Sequence, residues 1–95
     1  MKMLSIKMQE YPQIIESVYD VNKQAYGSNQ YLLDKDFILF TLYYYQENPF
    51  ESPKTETEQD IVWAAERILP RNEWGISQAS HSTAESSLKV KKLLR

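Results

Sequence analysis

The spacing of apolar side chains predicts a helix in the first third of the chain. Between Pro12 and Gly27, apolar residues recur at intervals of four, three and four: Ile14, Val18, Val21 and Ala25. This spacing places them on one side of a helix, which we expect to face the core. Pro12 suits the first helical turn because its missing N–H would have no partner there. Gly27 suits the end of the helix because it adopts left-handed backbone without strain.

Residues 37–45 are the most hydrophobic segment, a run of apolar and aromatic side chains interrupted only by Thr41. Such a run fits either a buried strand or a buried helix, and its aromatic content favours a strand. A helix is favoured by Asp34, which has a capping position before the run. A helix is also favoured by the polar residues that follow the run at 46–49, and by the lack of a neighbouring segment with a strand pattern. We predict a central helix.

A third helix is predicted after the two prolines of the 49–54 loop. Thr55 and Glu58 have the spacing of a capping box, in which two side chains satisfy the first free N–H groups. The apolar stripe that follows consists of Ile61, Ala65 and Ile68. Pro70 cannot continue a helix, so we expect this one to end just before it.

The last helix is predicted from a second capping-box spacing, between Ser82 and Glu85. Its apolar side is formed by Leu88, Val90, Leu93 and Leu94. Residues 1–9 alternate between apolar and polar side chains, which indicates a short extended arm. Four helices with short connections indicate an all-α fold, either a small four-helix bundle or an orthogonal helical domain. A length of 95 residues fits a single helical domain over 1–95.

Composition excludes several classes of chemistry. The chain has no cysteine, which rules out disulfides and thiolate metal sites. With two glycines it has no phosphate-binding loop of the usual types. The single histidine, His81, stands between two serines, and side chains at adjacent positions do not form a catalytic pair. His81 and Glu85 together supply only half of a metal site. We therefore expect no enzyme activity, no cofactor and no metal.

Targeting signals are also missing from the sequence. No apolar run approaches the length that crosses a bilayer, and the N-terminus lacks the pattern of a signal peptide. We expect a soluble, cytoplasmic protein that does not associate with membranes.

Charge and aromatic content indicate a protein partner. Residues 1–70 carry 11 acidic and 6 basic side chains, whereas 71–95 carry 2 and 5. The 12 aromatic residues, which are seven tyrosines, three phenylalanines and two tryptophans, are more than a core of this size hides. Tyrosine and tryptophan are also enriched at interfaces. We predict a non-enzymatic interaction module of inhibitor, immunity or adaptor type, which binds a basic partner through an acidic, aromatic helical face. The candidate residues are the anchors Trp63, Trp74, Tyr44 and Tyr45, and the acids Glu56, Glu58 and Asp60.

A small DNA-binding regulator that resembles helix-turn-helix proteins is the alternative. The stretch from Gly75 to Ser80 resembles the turn and the start of the recognition helix in those families. Two features depart from the pattern: Arg71 replaces the usual alanine, and Pro70 has already closed the preceding helix. The residues that would contact nucleic acid are Gln78, His81, Lys89, Lys91, Lys92 and Arg95. Whether the chain forms a homodimer is left open.

One short motif stands apart from these patterns. The tripeptide Asn48-Pro49-Phe50 resembles the ligand motif of eukaryotic EH domains, over three residues only. The simpler interpretation is a loop whose Phe50 packs into the core, and that is our expectation.

Overall fold

The computed structural model describes residues 11–26 and 34–93, and these residues form helices and no strands. The helices are α1 (Gln13–Tyr26), α2 (Lys35–Glu47), α3 (Glu56–Ile68) and α4 (Gln78–Leu93), with one 3-10 turn at Arg71–Glu73. The predicted all-α fold, a small helical bundle, is confirmed. The expected arm at 1–9 and the helix stop at Gly27 lie outside the described residues.

Helix α2 is the central element, as the aromatic run predicted. It packs against α1, α3 and α4, and α1 also packs against α3. Its core-facing side chains are Ile38, Leu39, Leu42 and Tyr45. Asp34 caps the helix as expected, because its carboxylate accepts the N–H groups of Asp36 and Phe37 at 2.9 and 3.3 Å. A helix with neighbours on three sides can bury apolar residues around most of its circumference, so the run needs no strand partner.

The start of α3 also follows its local sequence. The Thr55 hydroxyl accepts the N–H of Glu58 at 3.1 Å, and the Glu58 carboxylate accepts the N–H of Thr55 at 3.3 Å. Both halves of the predicted capping box are therefore present. The core side of α3 consists of Ile61, Val62 and Ala65.

The buried faces are rotated relative to the predicted stripes. In α1 the buried residues are Ile14, Ile15, Val18 and Asn22, whereas Val21 is exposed. The cause is that α1 lies between α2 and α3, which moves its buried side towards Ile15 and Asn22. Ile68 and Val90, predicted for the core sides of their helices, are likewise exposed.

Helix α4 begins four residues before the predicted Ser82. Its first turn is capped by Ser77, whose hydroxyl oxygen accepts the N–H of Ser80 at 3.0 Å. Two features set the earlier start. Gly75 turns the chain with a φ of 67°, which favours glycine. Ile76 is buried, and the Gln46 side-chain amide pairs with its backbone N–H and C=O, both at 2.9 Å.

Candidate functional site

The outward side of α3 carries three of the predicted interface residues. Trp63 is 52% exposed and points away from the core side of the helix. Asp60 lies three positions before it, one turn away on the same side of the helix, and Glu56 lies seven positions before it, two turns away on that side. Neither carboxylate forms an ion pair or hydrogen bond with any residue in the described ranges. We call Glu56, Asp60 and Trp63 the α3 face. Exposed Arg67 lies at the C-terminal edge of this face.

The third predicted acid, Glu58, is engaged inside the molecule. Its Oε1 accepts the hydroxyl of Tyr45 at 2.9 Å and the backbone N–H groups of Lys54 and Thr55 at 3.1 and 3.3 Å. The carboxylate therefore serves the capping box and the α2–α3 contact. It does not lie on the α3 face, and its predicted role in attracting a partner stays a prediction.

Two of the predicted anchors, Tyr45 and Trp74, are buried. Tyr45 is 1% exposed because it lies on the core side of the central helix, and its burial, together with the hydrogen bond to Glu58, raises the pKa of its phenol to about 12. Trp74 is 3% exposed, and its indole N–H donates to the Leu69 carbonyl at 2.8 Å. The 3-10 turn folds the indole back over the end of α3. Their prediction as surface anchors is therefore wrong.

The fourth anchor, Tyr44, is exposed but lies on another surface. Its hydroxyl donates to the Glu51 carboxylate, with both oxygens within 3.0 Å, and this hydrogen bond raises the pKa of the phenol. Tyr44 lines a groove of about 200 Å³ between α2 and the start of α3, together with Phe40 and Lys54. Trp63 is not part of that lining, so the structure does not unite these two aromatic residues in one groove.

A second groove lies between α2 and α4, and sequence reasoning missed it. Its volume is about 270 Å³. It is lined by Phe37, Phe40, Glu85, Leu88 and Lys89, and we call it the α2–α4 groove. The signal that could have found it is the three-residue spacing of Phe37 and Phe40, which puts both rings on one side of α2.

The candidate nucleic-acid residue His81 packs against α2. Its ring stacks on Phe40 and Tyr43, with centroids 5.1 and 4.4 Å apart and interplanar angles of 18° and 22°. The imidazole therefore contributes to the α2–α4 contact. Gln78 and Lys89 are exposed on α4, while the side chains of Lys92 and Arg95 lie outside the described residues.

Lys91, another candidate for nucleic acid, is bound within the molecule. Its ammonium group lies 2.9 Å from Asp34 and 3.1 Å from Asp36. The buried Asp36 also accepts hydroxyl groups from Tyr11 at 2.8 Å and Ser87 at 2.7 Å. Burial by itself would raise the pKa of Asp36, but hydrogen bonds from Ser87, Tyr11 and Lys91 outweigh it and leave the pKa lowered. For Lys91, burial opposes the charge, but the two carboxylates prevail and raise its pKa.

Phe50 does not pack into the core, contrary to expectation. Its side chain is 100% exposed, on a turn formed by residues 48–51. The local sequence, with proline before the ring, is compatible with either outcome. The long-range contacts described below hold this turn at the surface.

No family model, curated protein or solved structure matches the chain. Within residues 11–26 and 34–93, no three acidic or histidine side chains cluster as metal ligands would. None of the helices in those ranges has the length and apolar character needed to cross a bilayer.

Proposed function

We propose that this protein is a non-enzymatic interaction module whose α3 face binds a basic surface on a partner protein. The observation that supports the proposal is the half-exposed Trp63 on the same side of α3 as two carboxylates, Glu56 and Asp60, that have no partner in the described structure. Tryptophan is the residue type most enriched among interface hot spots, since it buries a large area at low entropic cost.

The chemistry of the α3 face favours a cationic side chain in its partner. The face of an indole ring attracts an ammonium or guanidinium group, and a neighbouring carboxylate adds direct charge pairing. Arg67 at the other end of the face would repel a second cation, so the acidic half around Glu56 and Asp60 defines where the basic group docks. Binding at this face blocks or positions the partner without chemical reaction.

The wild-type protein is first used to capture a partner from its own host, and that partner is purified. The experiment then compares the Kd of each variant for this partner with the Kd of the wild type. We expect Trp63→Ala to raise the Kd at least about tenfold, the usual effect of a hot-spot tryptophan. Glu56→Gln combined with Asp60→Asn should slow association and flatten its dependence on salt. Val90→Ala, which removes an exposed apolar side chain from α4, is the matched control and should leave the Kd unchanged.

Urea unfolding separates loss of binding from loss of fold. Since about half of Trp63 is buried, its replacement should lower the free energy of unfolding by about 1–2 kcal/mol, which leaves the bundle folded. Wild-type affinity in a folded Trp63→Ala variant would overturn the proposal.

Nucleic-acid binding by α4 stays a prediction from the sequence with less support, because Asp34 and Asp36 already hold the Lys91 ammonium group. A DNA mobility-shift assay tests this alternative. If α4 binds DNA, the affinity should fall steeply as the salt concentration rises, and binding should disappear when Lys89, Lys91 and Lys92 are replaced by glutamine.

A further inference from the structure

The fully exposed ring of Phe50 is carried by a well-organised turn. The Glu51 N–H donates to the Asn48 carbonyl at 3.1 Å, which closes the turn. Asn48 is tied to the end of α2, since its backbone N–H and its side-chain amide both donate to the Tyr44 carbonyl, at 3.0 and 2.8 Å. Pro49 restricts the backbone next to the ring.

Arg71 braces the same turn from the opposite end of α3. Its Nη1 donates to the carbonyl groups of Tyr45, Asn48 and Glu51 at 3.3, 3.2 and 2.9 Å. Its Nε is held at 2.7 Å from Glu66. The backbone on both sides of Phe50 is thus fixed while the ring remains in solvent. Because the backbone of this turn is already ordered, binding of the ring costs side-chain rotamer freedom but little backbone freedom.

The α2–α4 groove has the size and polarity to receive such a ring. It is an open groove of about 270 Å³, with Phe37, Phe40 and Leu88 in its lining. Phe50 does not line the groove of its own chain.

Charges at the turn and at the groove are complementary between two copies. The turn carries Glu51 and Lys54, whose charged atoms are 3.7 Å apart. The rim of the groove carries Glu85 and Lys89, separated by 4.0 Å. Both pairs are long and solvent-exposed, so each contributes little to its own chain. Glu51 also accepts the Tyr44 hydroxyl, but this neutral donor leaves the carboxylate charged. In a contact between two copies, Glu51 can therefore face Lys89 and Lys54 can face Glu85.

We propose that Phe50 of one copy of this protein inserts into the α2–α4 groove of a second copy. The contact is formed by the Phe50 turn and the α2–α4 groove, which are separate from the α3 face. The proposal therefore does not depend on the proposed function. One ring per contact buries a small area, so the association is weak and visible only at high concentration. When each copy donates its Phe50 to the other, the pair closes as a symmetric dimer.

The first test is sedimentation equilibrium of the full chain from micromolar to millimolar concentration. The average mass of the wild type should rise with concentration, while Phe50→Ala stays monomeric. Phe50 is fully exposed, so this variant keeps the fold. Val90→Ala, another exposed apolar truncation, should associate like the wild type. A wild type that remains monomeric throughout, or a Phe50→Ala variant that associates equally, would overturn the proposal.

The second test locates the receiving site. Nitrogen-15-labelled Phe50→Ala, whose groove is intact, is titrated with unlabelled wild type. We expect the amide signals of Leu88 and Lys89 to shift, and no such shift when the added protein is unlabelled Phe50→Ala. Lys89→Glu should weaken association by about two- to fivefold, and combining it with Glu51→Lys in the other copy should restore it. Shifts confined to surfaces away from the groove would disprove the contact.

Discussion

At the scale of single residues, Asn22 is the polar side chain that the interior satisfies least. It is 1% exposed on the core side of α1, and neither its amide nitrogen nor its amide oxygen has a hydrogen-bond partner in the described structure. The comparable buried acid, Asp36, receives three donors. A buried amide without partners destabilises the fold because it gives up its hydrogen bonds to water.

We predict that Asn22→Leu stabilises the protein. Leucine has the same branching and the same number of non-hydrogen side-chain atoms, and it removes the unsatisfied amide, so the free energy of unfolding should rise by about 1–2 kcal/mol. Urea denaturation measures it. Gln24→Leu, an exposed change on the same helix, is the control and should have an effect below about 0.5 kcal/mol. Destabilisation by Asn22→Leu would mean that the amide does make an important contact.

At the scale of elements, helix starts follow local sequence only where one capping residue stands out. Asp34 and Thr55 are such residues, and both cap as predicted. Serines stand at 77, 80 and 82 around the start of α4, and the spacing of Ser82 with Glu85 was misleading. Burial of Ile76 and its pairing with Gln46 position Ser77 at the helix start. Ser77 and Ser82 have the same intrinsic preference for the capping position, so tertiary packing decides which of them caps α4.

A pair of alanine variants tests which serine caps α4. Ser77→Ala removes the acceptor for the Ser80 N–H, so the free energy of unfolding should fall by about 1 kcal/mol. Ser82→Ala alters an exposed position inside the helix and should change it by less than about 0.5 kcal/mol. Thermal or urea unfolding of both variants gives the comparison. The reverse order of effects would restore Ser82 as the cap.

At the scale of the whole molecule, one polar cluster joins three distant parts of the chain. Asp36 at the start of α2 binds Tyr11, which precedes α1, and Ser87 and Lys91 on α4. These partners lie 25, 51 and 55 positions away along the sequence. The cluster depends on an ionised carboxylate and a charged amine, so it makes the stability of the bundle sensitive to pH at both extremes.

The sign of that pH dependence follows from the two pKa shifts. The folded pKa of Asp36 is lowered, so its stabilising contribution is complete above the ordinary carboxyl pKa of about 4 and is lost as the pH falls through the folded value. The folded pKa of Lys91 is raised, so its contribution is complete below about pH 10 and is lost as the pH rises through the folded value. Between these limits the cluster keeps its full effect.

We expect Asp36→Asn to lower the free energy of unfolding at pH 7 by about 2 kcal/mol, since charge-assisted hydrogen bonds are lost. The difference from the wild type should shrink as the pH falls below about 4, because the wild-type carboxylate is then protonated too. Urea unfolding at pH 7 and at acid pH measures both effects. Asp20→Asn, on the exposed side of α1, is the control. A difference that stays constant down to low pH would contradict this assignment.

The sequence alone determined the helical class, the central place of α2, two of the capped helix starts and the exposed Trp63 on the side of α3 that carries Glu56 and Asp60. These features depend on apolar spacing and short-range hydrogen bonds, which lie within a few residues of each other. Tertiary structure alone decided which aromatic rings are available: Tyr45 and Trp74 are buried, while Phe50 is exposed. It also brought Phe40 and Leu88 together in one groove. The reason is physical, because exposure of a side chain depends on neighbours supplied by distant segments, and no local pattern specifies them.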